Sequence, residues 1–253
     1  MCFLLFALRA DARYPLIVAA NRDEFHHRAT APAAFWPDSD NMLLAGRDLI
    51  AGGTWLGIHR NGRIAALTNL PGDNNPARPS RGSLVSEFLQ NSVSGLDYCE
   101  HLRSTADRYN GFNLVFGDTD ALYYVSNRVR IGEPLLQSGI HGLSNDALNT
   151  PWPKVVDGKA RLQVMLDSSA ELRTQQLFDL VATRGPTHSE STDPAHHGAA
   201  IRASAFIIGE QYGTRSSTVL MVDAQRTVRF EERSFDRHGH CTNTERYRFI
   251  LTE

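Results

Sequence analysis

CFLLFALRADARYPLIVAANRDE, residues 2–24, is the stretch whose reading decides the fold. Cys2 to Leu8 is an apolar and aromatic run, Arg9-Ala10-Asp11-Ala12-Arg13 breaks it, and Pro15 to Ala20 resumes it with Leu16, Ile17 and Val18. Two β-prone runs around a short polar break read as a hairpin, with Pro15 suited to a strand start or an edge. With the turn centre near residue 11, antiparallel partners sum to about 22, and Cys2 is predicted to pair within two residues of Ala20 or Asn21. The hairpin thus carries Asn21-Arg22-Asp23 back to the first residues, beside the Cys2 thiol.

Cys2 admits two readings, a small hydrophobe that opens a core strand or the new N-terminus of a processed enzyme. In the second, removal of Met1 frees an α-amine with a reference pKa of about 7.7–8.0 beside a thiol near 8.5. Such an amine takes the thiol proton directly or through one water, and stands in for the base of a catalytic triad. Asp23 would fix the ammonium. Arg22 would lower the thiol pKa or bind an anionic substrate group. Asn69 and Asn145 follow β-like runs, where an amide can serve as an oxyanion donor.

Outward from the hairpin, residues 25–50 read as irregular. Gly52 to Ile58 and Ile64 to Asn69 flank Arg60-Asn61-Gly62, a strong hairpin signal. Residues 71–81 form a loop rich in Pro, Asn, Asp and Arg. Helices are predicted over Gly82–Gln90 with Ser80 as a cap, Leu96–Ala106, Lys154–Leu166 and Ala170–Thr183. Phe112–Phe116 and Leu122–Ser126 form a further hairpin. Residues 185–200 read as a loop. Phe206–Ile208, Ser217–Val222 and Val228–Arg233 supply terminal β structure. Strands and helices come in blocks, which favours α+β with antiparallel sheets. No linker or repeat appears, so one domain over residues 1–253 is expected.

The 253 residues carry a net charge of −2 with 42% hydrophobic and 21% charged residues, which gives no reason to expect nucleic-acid binding or membrane insertion. The run Phe3–Leu8 is too short to span a bilayer, and no signal-peptide pattern surrounds it. Cys2, Cys99 and Cys241 contain no CxxC pair, so free thiols and a cytoplasmic location are expected. Lys154 and Lys159 are the only lysines in an arginine-rich chain. No metal or resident cofactor is expected. His238-Gly239-His240-Cys241 reads as a solvated tail, His26-His27 and His196-His197 as loop histidines, and Cys99 as packed in a helix. Trp55, Trp152 and Phe112 read as core anchors. Arg47, Arg78 and Arg81 are candidates for an anion site or for surface ion pairs.

Met1-Cys2, Ala20-Asn21-Arg22-Asp23-Glu24, Gly46-Arg47-Asp48, Gly52-Gly53-Thr54-Trp55-Leu56-Gly57 and Leu67-Thr68-Asn69 occur in that order. Arg81-Gly82, Tyr109 to Leu114, Gly142-Leu143-Ser144-Asn145, Thr150 to Lys154 and Thr214 to Thr218 follow. In these blocks the chain resembles the NRDE-motif family, also called the transport and Golgi organisation protein 2 family. Asn149 departs from the Asp more usual there. The resemblance implies an N-terminal-nucleophile hydrolase-like αββα sandwich of two stacked antiparallel sheets between helical layers. It also implies a site at Cys2, Arg22, Asp23, Asn69 or Asn145, and Arg215, with Arg215 supporting the N-terminus or contacting substrate. The leading expectation is an N-terminal-cysteine hydrolase or acyltransferase of a small C–N amide. The rival is a non-catalytic carrier of haem or a lipid-like ligand on the same fold. Either takes a small molecule as its partner, and the sequence does not specify an oligomeric state.

Overall fold

The computed structural model describes residues 2–72, 74–168, 170–184 and 202–252. The reading of residues 185–200 as a loop and of His196-His197 as loop histidines lies outside them.

The opening hairpin is β1 (Cys2–Asp11) and β2 (Tyr14–Phe25). Cys2 pairs with Arg22 and Leu8 with Leu16, a constant sum of 24 that lies within the predicted two residues. The register shifts by one between Leu8 and Asp11, where Arg9 adopts a left-handed φ of 45°. That is the mark of an extra residue in one strand.

Both faces of β1 are buried, which is why its sequence is continuously apolar. Leu4, Phe6 and Leu8 enter one core with Leu16, Val18 and Ala20 of β2. Phe3, Leu5 and Ala7 enter a second with Ile17 and Ala19. The first core is shared with the other sheet; the second is shared with helices. A strand period of two therefore assigns every residue of the hairpin to a layer.

Residues 25–50 correct the irregular reading. They hold β3 (Thr30–Phe35) and β4 (Leu43–Asp48), paired antiparallel. The sequence Thr30-Ala31-Pro32-Ala33-Ala34-Phe35 has weak β propensity, and β3 is an edge strand, where Pro32 is tolerated. β5 (Leu56–His59) and β6 (Ile64–Asn69) form the predicted hairpin, with Gly62 at φ 93° in the turn.

α1 (Gly82–Gln90) matches the prediction, but Arg81 is the cap residue, and Ser80 Oγ accepts only from the Gly82 N–H at 3.3 Å. α2 (Gly95–Thr105) is capped by Ser94, whose Oγ accepts from Asp97 N. β7 (Phe112–Gly117) and β8 (Leu122–Ser126) complete the second sheet, in the order β3-β4-β5-β6-β7-β8.

β9 (Gly139–Leu143) returns to β1. α3 (Pro153–Asp167) starts with proline at its first turn, a favoured place for it. α4 (Thr174–Val181) is shorter than predicted because Arg173 is extended, with its N–H taken by Gln176 Oε1 at 2.9 Å. Phe206–Ile208 is not a strand. Its Ile207 backbone is taken in both directions by Thr214, through Oγ1 and N–H.

β10 (Tyr212–Val222), β11 (Thr227–Phe235) and β12 (Cys241–Ile250) give the first sheet the order β12-β11-β10-β2-β1-β9. The stretch 238–241 is largely exposed, as expected of a solvated tail, but it is a tight turn. Asp236 Oδ1 accepts from the backbone N–H of His238 and of His240, and an edge strand follows. The sheets stack on a common core, α3 and α4 cover the outer face of the first, and α1 and α2 cover that of the second. This is the expected αββα sandwich, two stacked antiparallel sheets between helical layers.

Candidate active site

Parity places the first site residues. Cys2 shares the even face of β1 with Leu4 and Phe6, so its side chain belongs to the layer between the sheets, at the open end where the apolar packing stops. Arg22, opposite it in the ladder, shares that face. Asn21 lies on the other face. Its Nδ2 donates to the carbonyls of Val181 and Ala205 at 2.7 Å each, in the helical layer.

Arg22 is buried at 5% exposure. Its NH1 donates to Thr30 Oγ1 at 3.1 Å, Glu24 lies 3.9 Å from NH2, and the guanidinium lies 4.3 Å from the centroid of the Trp55 ring. A stacked, planar cation of this kind keeps its charge at low hydration cost. Asp23 is 2% exposed, and its Oδ1 accepts from Thr214 Oγ1 at 2.7 Å. Burial raises its carboxyl above the ordinary value, opposed by the Thr214 hydrogen bond and by the charges of Lys154 and Arg22. Lys154 sits at the start of α3, also buried, with Nζ donating to the Ser204 carbonyl at 3.2 Å. Burial brings its pKa down to about 8 against the opposing pull of Asp23 and Cys2.

Asn145 follows β9 and reaches the first residues. Its Oδ1 accepts from Cys2 N at 3.3 Å, and its Nδ2 donates to the Asn69 carbonyl at 2.6 Å. Ser144 Oγ donates to the Cys2 carbonyl at 2.8 Å. The second sheet fixes this turn. Thr68 Oγ1 donates to the Ser144 carbonyl at 2.6 Å, and Asn113 Nδ2 to the Asp146 carbonyl at 2.8 Å. Both ends of the Asn145 amide are thus engaged in holding the backbone of Cys2 and Asn69, while Asn69 itself borders the cavity that Cys2 borders.

Burial pushes the Cys2 thiol up. Asp23 partly offsets this through a hydrogen bond from its backbone N–H, while its carboxylate charge adds to the rise, and the charge of Arg22 lowers the thiol further. The sulfur's residue is 8% exposed and lies at the edge of a cleft of about 580 Å³, with Arg22, Asp23 and Asn69 also on its wall. Trp55 and Trp152 are half-buried and pack against the two cores as expected, but each also lines a cavity; Phe112 is a core residue.

Arg215 stands one step back. It lies at a register shift in β10, and its NH1 donates to the carbonyls of Phe25, His26 and Arg28. It fixes the chain that leaves β2, which carries Glu24 and Arg28 to the cleft wall. Arg47 stacks on Trp36 and pairs with Asp38 at 2.6 Å, away from the cleft. Among the described residues no group of His, Cys, Asp and Glu is arranged to hold a metal. Nor is any helix among them long and apolar enough to cross a membrane.

Lys154, Thr214 and Ser144 were not singled out by sequence reasoning as site residues. The rarity of lysine in this chain was the one available signal for Lys154. Thr214 and Ser144 act through pairings that no local pattern announces.

The sequence and backbone have relatives. The model of the family described as Transport and Golgi organisation 2 matches residues 1–237. The Transport and Golgi organization protein 2 homolog of Bos taurus is 38% identical over 92% of this chain and 93% of its own length. The Homo sapiens homolog is 36% identical over 99% of each. Among solved structures, the Caenorhabditis elegans ortholog of N-acylethanolamine-hydrolyzing acid amidase aligns with a TM-score of 0.48 at 10% identity, covering 87% of this chain and 92% of that one. The C2A mutant of conjugated bile acid hydrolase from Clostridium perfringens aligns with a TM-score of 0.45 at 11% identity, covering 100% and 98%. From its first hairpin to the last strands of its first sheet, the chain belongs to the transport and Golgi organisation 2 family.

Proposed function

We propose that the chain is an N-terminal-cysteine hydrolase or acyltransferase of a small C–N amide, with Cys2 as nucleophile after loss of Met1. The observation that carries this reading is the grip on Cys2 N. A side-chain acceptor, Asn145 Oδ1, lies 3.3 Å from the nitrogen that becomes the α-amine, within a residue whose thiol borders a cleft.

In the reaction, Sγ attacks the amide carbon and its proton passes to the α-amine. The amine returns that proton to the departing nitrogen as the C–N bond breaks, leaving a thioester. Water or an acceptor nucleophile then attacks the thioester and regenerates the thiol. Asn69, on the cleft wall, supplies an oxyanion donor; Asn145 positions the amine and the Asn69 backbone. Asp23, with the charge of Lys154 acting on it, holds and orients the ammonium, and Arg22 stabilises developing negative charge on sulfur.

The test combines the intact mass of protein purified from cells with labelling by an electrophilic amide or lactam probe. The expected result is loss of Met1 and one adduct on Cys2, absent in Cys2→Ala. A retained Met1 removes the base.

The carrier reading takes support from a second, more apolar cavity of about 800 Å³ that adjoins the first. That space suits haem or a lipid-like ligand without any acyl-enzyme. A haem titration followed by absorbance tests it, with a Soret shift that persists in Cys2→Ala as the expected result.

A further inference from the structure

The two cavities form one cleft with unlike arms. They share Asn69, Asn74, Arg81 and Tyr212. The larger arm is faced by Leu70, Pro71, Val129 and Trp152, and its wall also carries Arg128, Arg202 and Asp146. The arm at Cys2 is lined by four arginines, and their charges are not equally compensated. Arg28 pairs with Asp48 at 2.7 Å, and Glu24 lies 4.0 Å from Arg28 and 3.9 Å from Arg22. Arg78 and Arg81 are held instead by neutral carbonyls: Arg78 NH1 donates to Tyr109 O at 2.6 Å and Arg81 NH1 to Gly111 O at 2.9 Å. No described carboxylate forms an ion pair with either.

A carbonyl fixes the position of a guanidinium and leaves its charge and most of its donors for another group. The segment that carries Arg81 is itself fixed. Gly53 packs so closely on Gly82 that a Cβ there would lie 2.5 Å from the Gly82 carbonyl carbon, and Thr54 N donates to Gly82 O at 3.2 Å. Arg81 also lies close enough for its charge to act on Cys2 and, less strongly, on Glu24, with which it forms no ion pair.

We propose that Arg78 and Arg81 form a subsite for an oxyanion, a carboxylate or phosphate, carried by a ligand whose apolar part occupies the arm of Leu70, Pro71, Val129 and Trp152. The inference deepens the proposed function and rests on it for which bond is broken: the scissile amide lies between an apolar flank and an anionic one, at Cys2.

The test uses probes that the thiol cannot cleave. Binding of 4-phenylbutyrate, 3-phenylpropyl phosphate and the neutral 4-phenylbutan-1-ol to the purified full chain is measured by calorimetry at neutral pH. An oxyanion in a two-arginine site is expected to bind about tenfold tighter than the alcohol, or more, and added salt shrinks the advantage. Whichever of the carboxylate and phosphate gains more identifies the preferred head group.

In Arg78→Gln/Arg81→Gln the anions fall to the affinity of the alcohol, whereas Arg81→Lys keeps part of the preference. If the double variant does not fold, the exposed Arg78→Gln alone and the salt dependence of the wild type decide. Equal affinity of anion and alcohol, no binding of the anions, or a preference that survives in the variants overturns the proposal. Because no step depends on the thiol, failure here leaves Cys2 labelling intact, and failure of labelling leaves the anion preference intact.

Discussion

Cys2 and Cys99 are both buried thiols, and burial pushes both up, Cys99 to about 11. Their surroundings differ in kind. Cys99 lies on α2 in the apolar layer with Leu84, Phe88, Tyr98 and Phe116. Cys2 ends a core strand at a cleft, with the Asp23 backbone N–H and Arg22 acting on its sulfur and Asn145 on its nitrogen. Burial alone makes an inert thiol; burial at the rim of a polar cleft, with donors aimed at the charged form, makes one that can react.

The largest effect expected from this contrast is in labelling. Cys2→Ala abolishes adduct formation with an electrophilic amide, whereas Cys99→Ala leaves it unchanged, read by intact mass. Labelling that follows Cys99 would erase the distinction. Next in size is Asn145→Ala, which keeps the thiol and loses the acceptor at Cys2 N. Loosening a reacting group in this way slows labelling by about 10- to 100-fold in stopped time courses.

Stability sharpens the comparison from the opposite side. Cys99→Ser places a hydroxyl in the apolar helical layer and is expected to cost about 1–3 kcal/mol in denaturant unfolding. Cys2→Ser, set among polar neighbours, costs less than about 1 kcal/mol.

A pH-dependent contrast concerns a buried carboxyl that serves structure, unlike Asp23 at the site. Glu232 on β11 accepts from Ala33 N at 2.7 Å and from Thr218 Oγ1 at 3.2 Å, and burial raises its pKa to about 7. The folded state therefore holds this proton more tightly than the unfolded chain. The stability this gives is complete below the unfolded value, near pH 4.5, and is lost as pH rises through 7. Glu232→Gln is expected to be up to about 3 kcal/mol more stable than wild type at pH 8, with the gap closing toward pH 5.

The legible parts were the local ones. The β1–β2 hairpin, the Asn61-Gly62 turn and α1 follow from patterns within about ten to twenty residues. The pairing of Cys2 with Arg22 follows from the hairpin alone. β3 stayed hidden because alanine and proline carry little β signal, and β12 because its exposed edge is almost wholly polar. The grip of Asn145 on Cys2 N joins residues 143 apart, and the tie between Asp23 and Thr214 joins residues 191 apart. Both contacts come from long-range strand pairing within the first sheet, β10 beside β2 and β9 beside β1, which sequence spacing does not encode.

The central claim is that the reactive end of β1 is a free terminal cysteine. Tandem mass spectrometry of the N-terminal peptide, after reaction of cell-purified protein with a lactam probe, tests it most directly. The account predicts a peptide that begins at Cys2 and carries the adduct on sulfur. A peptide that begins at Met1 with an unmodified Cys2, under conditions in which a small free thiol is labelled, would contradict it.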